Sequence, residues 1–158
     1  GQKSADPFEE SFKFVLPGSN LRPGELHGAV GIEQLKKLPH LIEQRRKNAQ
    51  IFQKLFSDHP YLLIQKEIGA SSWFGFSLVL KENAPYSRTE LVELLTKHKI
   101  ECRPIVSGNF LKNPVLKHYN YSVSGELKNA EIIDQNGLFV GNHHYDLKEQ
   151  LMHLKSVL

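Results

Sequence analysis

The sequence has little of what a disulfide-bonded or membrane-spanning protein needs. Its only cysteine, Cys102, cannot form a disulfide within the chain, which indicates a reducing compartment. No apolar run approaches the roughly 20 residues that span a bilayer, and the first residues contain no signal-peptide core. We therefore expect a cytoplasmic protein with no membrane partner.

An excess of charge of either sign is also missing. Lys and Arg number 20 against 17 Asp and Glu, which gives a formal net charge of +3. The densest basic run, residues 45–47, is typical of the solvent-facing side of a helix, so we predict no nucleic-acid partner. None of the eight histidines has the spacing of metal ligands. We therefore predict no metal site.

The familiar catalytic motifs are missing too. The chain contains no Gly-x-Ser-x-Gly, no phosphate-binding P-loop and no His-Glu-x-x-His. Cys102 lies between Glu101 and Arg103, and a cationic neighbour can lower the pKa of a thiol. A single cysteine in a predicted strand is nevertheless typical of a core. We predict no catalytic residue in this chain.

The first third of the chain is dominated by one long helix. Residues 1–11 are polar and are interpreted as a tail or a cut end, and residues 12–16 alternate like a short strand. Apolar residues then recur at helical spacing from Pro23 to about Ser57. Pro39 should kink or divide this helix because it removes a backbone hydrogen bond. Residues 12–57 thus form an interface segment and a long helix.

The remaining residues, 58–158, alternate between short strands and helices. The capping-box pattern from Ser87 to Glu90 predicts the start of one helix. The predicted strands cover residues 61–65, 72–80, 100–106 and 138–140, and further helices end near residue 137 and begin near residue 146. This order predicts an α+β domain, with helices on one face of a small, mostly antiparallel sheet.

Two glycines lie one turn apart near the start of the long helix. Gly28 and Gly31 each weaken a helix by about 1 kcal/mol relative to Ala. Their presence predicts a close approach by another element, either within the same chain or across a dimer. The sequence leaves both possibilities open.

The stretch Gly18-Ser-Asn-Leu-Arg-Pro-Gly-Glu-Leu-His-Gly-Ala-Val-Gly-Ile-Glu-Gln-Leu35 resembles the G-x-N-x-R…E-L…A-x-G-x-x-Q-L signature of the DegT/DnrJ/EryC1/StrS sugar aminotransferases. The resemblance implies the small C-terminal domain of a fold-type-I transferase that uses pyridoxal 5'-phosphate or pyridoxamine 5'-phosphate. It also implies a homodimer with a shared active site, in which Asn20 binds the cofactor phosphate of the neighbouring subunit and Arg22 lies close by.

Three further motifs are similar to one branch of that family, the 3-dehydratases of 4-keto-6-deoxy sugars. They are Ser-Ser-Trp-Phe-Gly-Phe, Ile-Glu-Cys-Arg-Pro-Ile-Val-Ser-Gly-Asn-Phe-Leu-Lys-Asn and Asn-Gly-Leu-Phe-Val-Gly-Asn-His-His. The resemblance implies that five residues lie near a nucleotide-sugar substrate: Trp73, Phe74, Arg103, Ser107 and Asn109. An arginine fork suits phosphates and carboxylates, although Arg103 could equally form a surface ion pair.

The resemblance implies an enzyme that removes the 3-hydroxyl of a nucleotide-linked 4-keto-6-deoxyhexose in O-antigen deoxysugar biosynthesis of lipopolysaccharide, with glutamate as amino donor. The cofactor carries such chemistry, and the protein orients it. This chain by itself should be inactive, because the main cofactor-binding domain of the family is absent. A 4-aminotransferase and a freestanding dimerisation or binding module remain alternatives. An upstream residue, His for dehydration or Lys for transamination, decides between the two enzymes.

Overall fold

The computed structural model describes residues 24–106 and 108–158. The strand predicted at residues 12–16 and the predicted site residues Asn20, Arg22 and Ser107 lie outside the described residues. The chain divides into two compact units, residues 1–36 and 37–158, and the boundary falls within the first helix.

The long helix, α1, runs from Glu25 to Phe56 as one element. It continues through Pro39, so the predicted division of the helix at this residue is not observed. In the described part of the first unit the apolar side chains are exposed; Leu26 is 75% and Leu35 66% exposed. A Cβ atom added at Gly28 or Gly31 would meet no described atom within 4 Å. The predicted close approach is therefore not made by the described residues, and a contact across a dimer stays a prediction.

The second unit contains a four-stranded sheet in which every neighbouring pair is antiparallel. Its strands are β1 (Leu62–Ile64), β2 (Gly75–Leu80), β3 (Cys102–Arg103) and β4 (Gly137–Gly141), arranged in the order β1-β2-β4-β3. The strand predicted at residues 100–106 is thus reduced to two residues, and the strand predicted from residue 72 begins at Gly75.

Three shorter helices follow α1, namely α2 (Arg88–Lys97), α3 (Lys128–Asn136) and α4 (Lys148–Val157). The capping box predicted for α2 is confirmed, because the Ser87 hydroxyl accepts from the Glu90 amide and the Glu90 carboxylate accepts from the Ser87 amide. Two 3-10 helices, Phe110–Lys112 and Pro114–His118, occupy the loop between β3 and α3.

The hydrophobic core lies on one face of the sheet. Alternate residues of β2 point to this face, and β4 matches them with Val140 opposite Phe76 and Leu138 opposite Leu78. Buried side chains of α1, α2 and α4 complete the cluster: Phe52, Phe56, Leu91, Leu95, Leu151 and Leu154. Helix α3 contributes no buried residue. The predicted α+β layer with helices on one face is confirmed.

Among the residues that the structure describes, no helix combines the length and the apolar character needed to traverse a bilayer.

Candidate functional site

The other face of the sheet carries a pocket of about 280 Å³. It is lined by Arg45, Phe74, Glu101, Arg103, Phe139, Gly141 and Asn142. Two of the predicted site residues, Phe74 and Arg103, are therefore brought together. They arrive from opposite sides of β4, because β2 and β3 each pair with it.

The register of the strands explains the shape of this pocket. Phe139 of β4 lies opposite Ser77 of β2 and Arg103 of β3, so these three side chains share the non-core face. A Cβ atom at Gly75 would come within 2.7 Å of the Phe139 ring. Glycine at this position lets the ring lie close to the backbone of β2. The ring centroid of Phe74 is 5.8 Å from that of Phe139, and Phe74 is 79% exposed.

Arg103 pairs with its near neighbour at the rim of the pocket. Its guanidinium donates two hydrogen bonds to one carboxylate oxygen of Glu101, at 2.8 and 3.2 Å. The two side chains are 70% and 78% exposed, and such a pair contributes about 0–1 kcal/mol to stability. The geometry thus contains the surface ion pair that the sequence left open, at a position where the guanidinium also lines a pocket.

Trp73 faces in the opposite direction to Phe74. Its side chain is 2% exposed and packs against Phe52 with ring centroids 6.4 Å apart, while the indole N–H donates to Glu67 at 3.2 Å. The backbone of Trp73 has φ = 54°, a left-handed conformation that costs a bulky residue about 1–3 kcal/mol. The ring is therefore part of the core, whereas the next side chain, Phe74, points outward.

Two arginines of α1 hold the loop that contains Trp73. Arg45 donates to the carbonyl oxygens of Ser72 and Trp73 at 3.0 and 2.6 Å. Arg46 donates to the carbonyl oxygens of Ser71 and Ala70 at 3.0 and 2.7 Å. The prediction that the run 45–47 is a solvent-facing helix side is therefore wrong for Arg45, which is half-buried, because the returning loop covers this side of α1.

Two buried asparagines connect α1 to the loop after β4. Asn48 is fully buried and donates to the carbonyl oxygens of His143 and Tyr145 at 3.0 and 2.8 Å. Its side-chain oxygen accepts from the Leu147 amide at 3.2 Å, and its nitrogen also bonds to Asn142 at 3.2 Å. Asn142 in turn donates to the Trp73 carbonyl oxygen at 2.9 Å.

Sequence reasoning missed this network, although one signal was present. Asn48 lies four residues before Phe52 and eight before Phe56, on the stripe of α1 that faces the core. A polar residue at a core position requires hydrogen-bond partners. Those partners lie nearly 100 positions further along the chain, where local patterns do not reach.

Asn109 lies in a separate cluster. Its side-chain oxygen accepts from the Leu111 amide at 3.1 Å and its nitrogen donates to Glu131 at 3.1 Å. Lys112 donates to Glu131 and Asp134 of α3 at 2.6 and 2.8 Å. These hydrogen bonds from Lys112 hold the pKa of both carboxyl groups below their usual values. The cluster ties the loop after β3 to α3.

Cys102, for which no nucleophilic role is predicted, lies in surroundings that favour its protonated form. Burial, and secondly the neighbouring Glu101, raise the pKa of its thiol. A protonated thiol is a poor nucleophile. Within the described ranges, no group of three or more His, Cys, Asp and Glu side chains is arranged to hold a metal ion.

Comparison with known proteins places these observations in a family. The DegT/DnrJ/EryC1/StrS aminotransferase family matches residues 1–153. GDP-4-keto-6-deoxy-D-mannose 3-dehydratase of Yersinia pseudotuberculosis is 65% identical over all of this chain and 40% of its own length. The chain thus spans about two fifths of the curated relatives that it matches.

The solved structures that match this chain include the same kind of dehydratase. The E. coli GDP-4-keto-6-deoxy-D-mannose 3-dehydratase with bound hydrated PLP has a TM-score of 0.86 and 58% identity, covering 99% of this chain and 40% of that one. A mutant GDP-4-keto-6-deoxymannose-3-dehydratase with bound GDP-perosamine has a TM-score of 0.85 and 58% identity, covering 98% of this chain and 40% of that one.

Proposed function

This chain belongs to the DegT/DnrJ/EryC1/StrS aminotransferase family, and from that premise we propose that it forms part of a 3-dehydratase acting on a GDP-linked 4-keto-6-deoxyhexose. The observation that carries the proposal is the 65% identity to such a dehydratase along the whole chain. The product would be a deoxysugar for the O-antigen of lipopolysaccharide, formed in the cytoplasm with glutamate as amino donor. The chain supplies only part of the enzyme, so it should be inactive alone.

The proposed cofactor is PLP in its aldehyde and amine forms, and Asn20 and Arg22 would hold its phosphate. An amide N–H and a guanidinium are donors that suit a phosphate dianion, so the residues present fit the group. The cofactor supplies the electron sink for the chemistry when it is bound. In the proposed homodimer, Asn20 of one subunit contributes to the site of the other.

The role proposed for the predicted residues of the substrate side is to bind and orient the nucleotide sugar. Phe74 presents an exposed ring, and Arg103 presents a guanidinium fork at the rim of the same pocket. Trp73, whose ring is buried, would act through its backbone, to which Phe74 is joined. Asn109, from the loop after β3, and Ser107 would complete the substrate side.

A product assay tests the proposed reaction. The complete enzyme, supplied with PLP, glutamate and GDP-4-keto-6-deoxymannose, should release a sugar that lacks the 3-hydroxyl. The 158-residue chain, used as a matched control, should release none. A product that retains the 3-hydroxyl and carries a 4-amino group would contradict the proposal and assign a 4-aminotransferase instead. An inert complete enzyme would support a binding module.

Replacement of Arg103 tests the proposed substrate contact. Arg103→Lys keeps the charge but loses the planar fork, so a site that uses two parallel hydrogen bonds should be damaged. We expect kcat/KM of the complete enzyme to fall about tenfold, equivalent to about 1.4 kcal/mol, with Tm changed by no more than a few degrees. Lys128→Met, which removes an equally exposed ion pair on α3, is the control. Unchanged kinetics in Arg103→Lys would leave the pair with Glu101 as an ordinary surface contact.

A further inference from the structure

The segment before β2 places consecutive side chains on opposite sides of the domain. The Trp73 ring enters the core, and the Phe74 ring lies 79% exposed beside the pocket. The backbone of Trp73 is left-handed, with φ = 54°. A bulky residue holds such a conformation only where its surroundings determine it. The groups that bind the Trp73 carbonyl oxygen fix the peptide from which the Phe74 side chain extends.

Two side chains converge on the carbonyl oxygen of Trp73. Arg45 donates to it at 2.6 Å and Asn142 at 2.9 Å. Asn142 also donates to the carbonyl oxygen of Arg45 at 3.1 Å, which ties the assembly to α1. Arg45 forms its second bond with the Ser72 carbonyl oxygen at 3.0 Å. The peptide between Trp73 and Phe74 is thus fixed from two elements at once.

The charge of Arg45 strengthens this attachment. A guanidinium forms stronger hydrogen bonds to carbonyl oxygens than a neutral donor does, and its two parallel donors fix direction as well as distance. In the part of the chain that the structure describes, no ion pair joins Arg45 to a carboxylate. Its described hydrogen bonds all go to the loop backbone.

We propose that Arg45 is a positioning residue for the nucleotide-sugar pocket, acting through the Trp73 carbonyl to hold the Phe74 ring against its edge. The inference rests on the proposed function, since it takes this pocket to receive the substrate. It assigns to Arg45 a part in substrate affinity that neither its position on a long helix nor its basic neighbours indicate.

The neighbouring residue offers a matched control. Arg46 makes the same type of two-bond attachment to the same loop, at the carbonyl oxygens of Ala70 and Ser71. It lines a separate cavity with Glu67 and Gly69 and does not line the pocket with Phe74. Loss of either arginine should loosen the loop, but only loss of Arg45 should displace Phe74.

The test compares Arg45→Ala with Arg46→Ala in the complete enzyme. Both variants should lower Tm by similar amounts. KM for the nucleotide sugar should rise about tenfold in Arg45→Ala with kcat within about threefold of the parent, because a wall that touches the bound nucleotide contributes equally in ground and transition states. Arg46→Ala should keep KM within about twofold of the parent. Arg45→Lys keeps the charge and one donor nitrogen, so it should disturb the fold less than Arg45→Ala and give an intermediate KM.

A double-mutant cycle separates positioning from direct contact with substrate. If Arg45 acts through Phe74, then Arg45→Ala should raise KM no further in a Phe74→Ala background. Additive effects, or equal effects of the Arg45 and Arg46 variants on KM, would overturn the inference. A rise in KM with Phe74→Ala but not with Arg45→Ala would overturn the inference about Arg45 and leave the proposed pocket intact. No rise with Phe74→Ala would overturn both it and the proposed pocket.

Discussion

The loop that precedes β2 and the loop that follows β3 both carry predicted site residues, yet they are attached to the domain in different ways. The first loop is held by α1 and by Asn142, through hydrogen bonds to backbone carbonyl oxygens, and the two that reach the Trp73 carbonyl oxygen are partly or fully buried. The second loop is held by Lys112, whose ammonium group bridges two carboxylates of α3 near the surface.

This difference determines how each loop responds to its surroundings. Buried amide hydrogen bonds are little affected by salt, and removing one partner leaves the other groups unsatisfied in the interior. Exposed ion pairs are screened by salt and depend on the protonation of their carboxyl groups. We therefore expect the wall that carries Phe74 to be constant over a wide range of conditions, and the loop that carries Asn109 to loosen in acid.

The largest effect should come from the buried network. Asn48→Ala would remove the buried side-chain amide that the Leu147 amide and the carbonyl oxygens of His143 and Tyr145 use as a hydrogen-bond partner. The free energy of unfolding of the 158-residue chain should fall by about 3 kcal/mol, seen as a Tm lower by about 10 °C. Gln50→Ala, an exposed change two residues away, should shift Tm by about 1 °C or less. Equal shifts would contradict the importance of the buried amide.

An intermediate effect should come from the second loop at Gly108. Gly108 and Gly125 both have left-handed backbones, with φ of 55° and 74°. A Cβ atom at Gly108 would overlap the side chain of Asp134, whereas one at Gly125 would meet no atom of the described residues within 4 Å. Gly125→Ala should therefore cost about 1 kcal/mol from backbone strain, and Gly108→Ala about 2 kcal/mol or more. Denaturant unfolding measures the loss of free energy of unfolding in both variants. Equal losses would show that the contact of the loop with α3 does not contribute to stability.

The smallest effect should come from Lys112→Met, and it should depend on pH. The folded state holds the pKa of Glu131 and Asp134 below their usual values, so their contribution is present above about pH 5 and is lost as the pH falls. The pKa of Lys112 is raised by the same bonds, so its contribution is lost only at strongly alkaline pH. The variant should melt slightly below the parent at pH 7, and this difference in Tm should shrink as the pH falls.

The matched control for this variant is Lys128→Met, which removes another exposed ion pair. Lys128 bonds only Glu126, two residues away, and holds no distant segment in the described structure. Its Tm should differ from that of the parent by less than the Lys112 variant does. A Lys112→Met difference that persists unchanged in acid would show that the ion pairs do not hold the second loop.

Local sequence patterns predicted the elements whose signals lie within a few residues. The capping box at Ser87 predicted the start of α2, since both of its hydrogen bonds span three residues. The helical spacing of apolar residues from Pro23 to about Ser57 predicted α1 in the same way. The strand predicted at 100–106 was too long because its length depends on pairing with β4, which meets only Cys102 and Arg103.

The sequence by itself thus determined the order of the elements, the helix start at Ser87 and the family. It also supplied Phe74 and Arg103 as candidates for one cleft, through the resemblance of their motifs. Tertiary structure alone decided that these two residues line one pocket and that the Trp73 ring lies in the core. It also decided that Arg45 and Asn48 bind the backbones of distant loops. The physical reason is sequence separation: the bonds that join Arg45 and Asn48 to the loops span between 27 and 99 positions, and only the folded chain brings such partners within hydrogen-bonding distance.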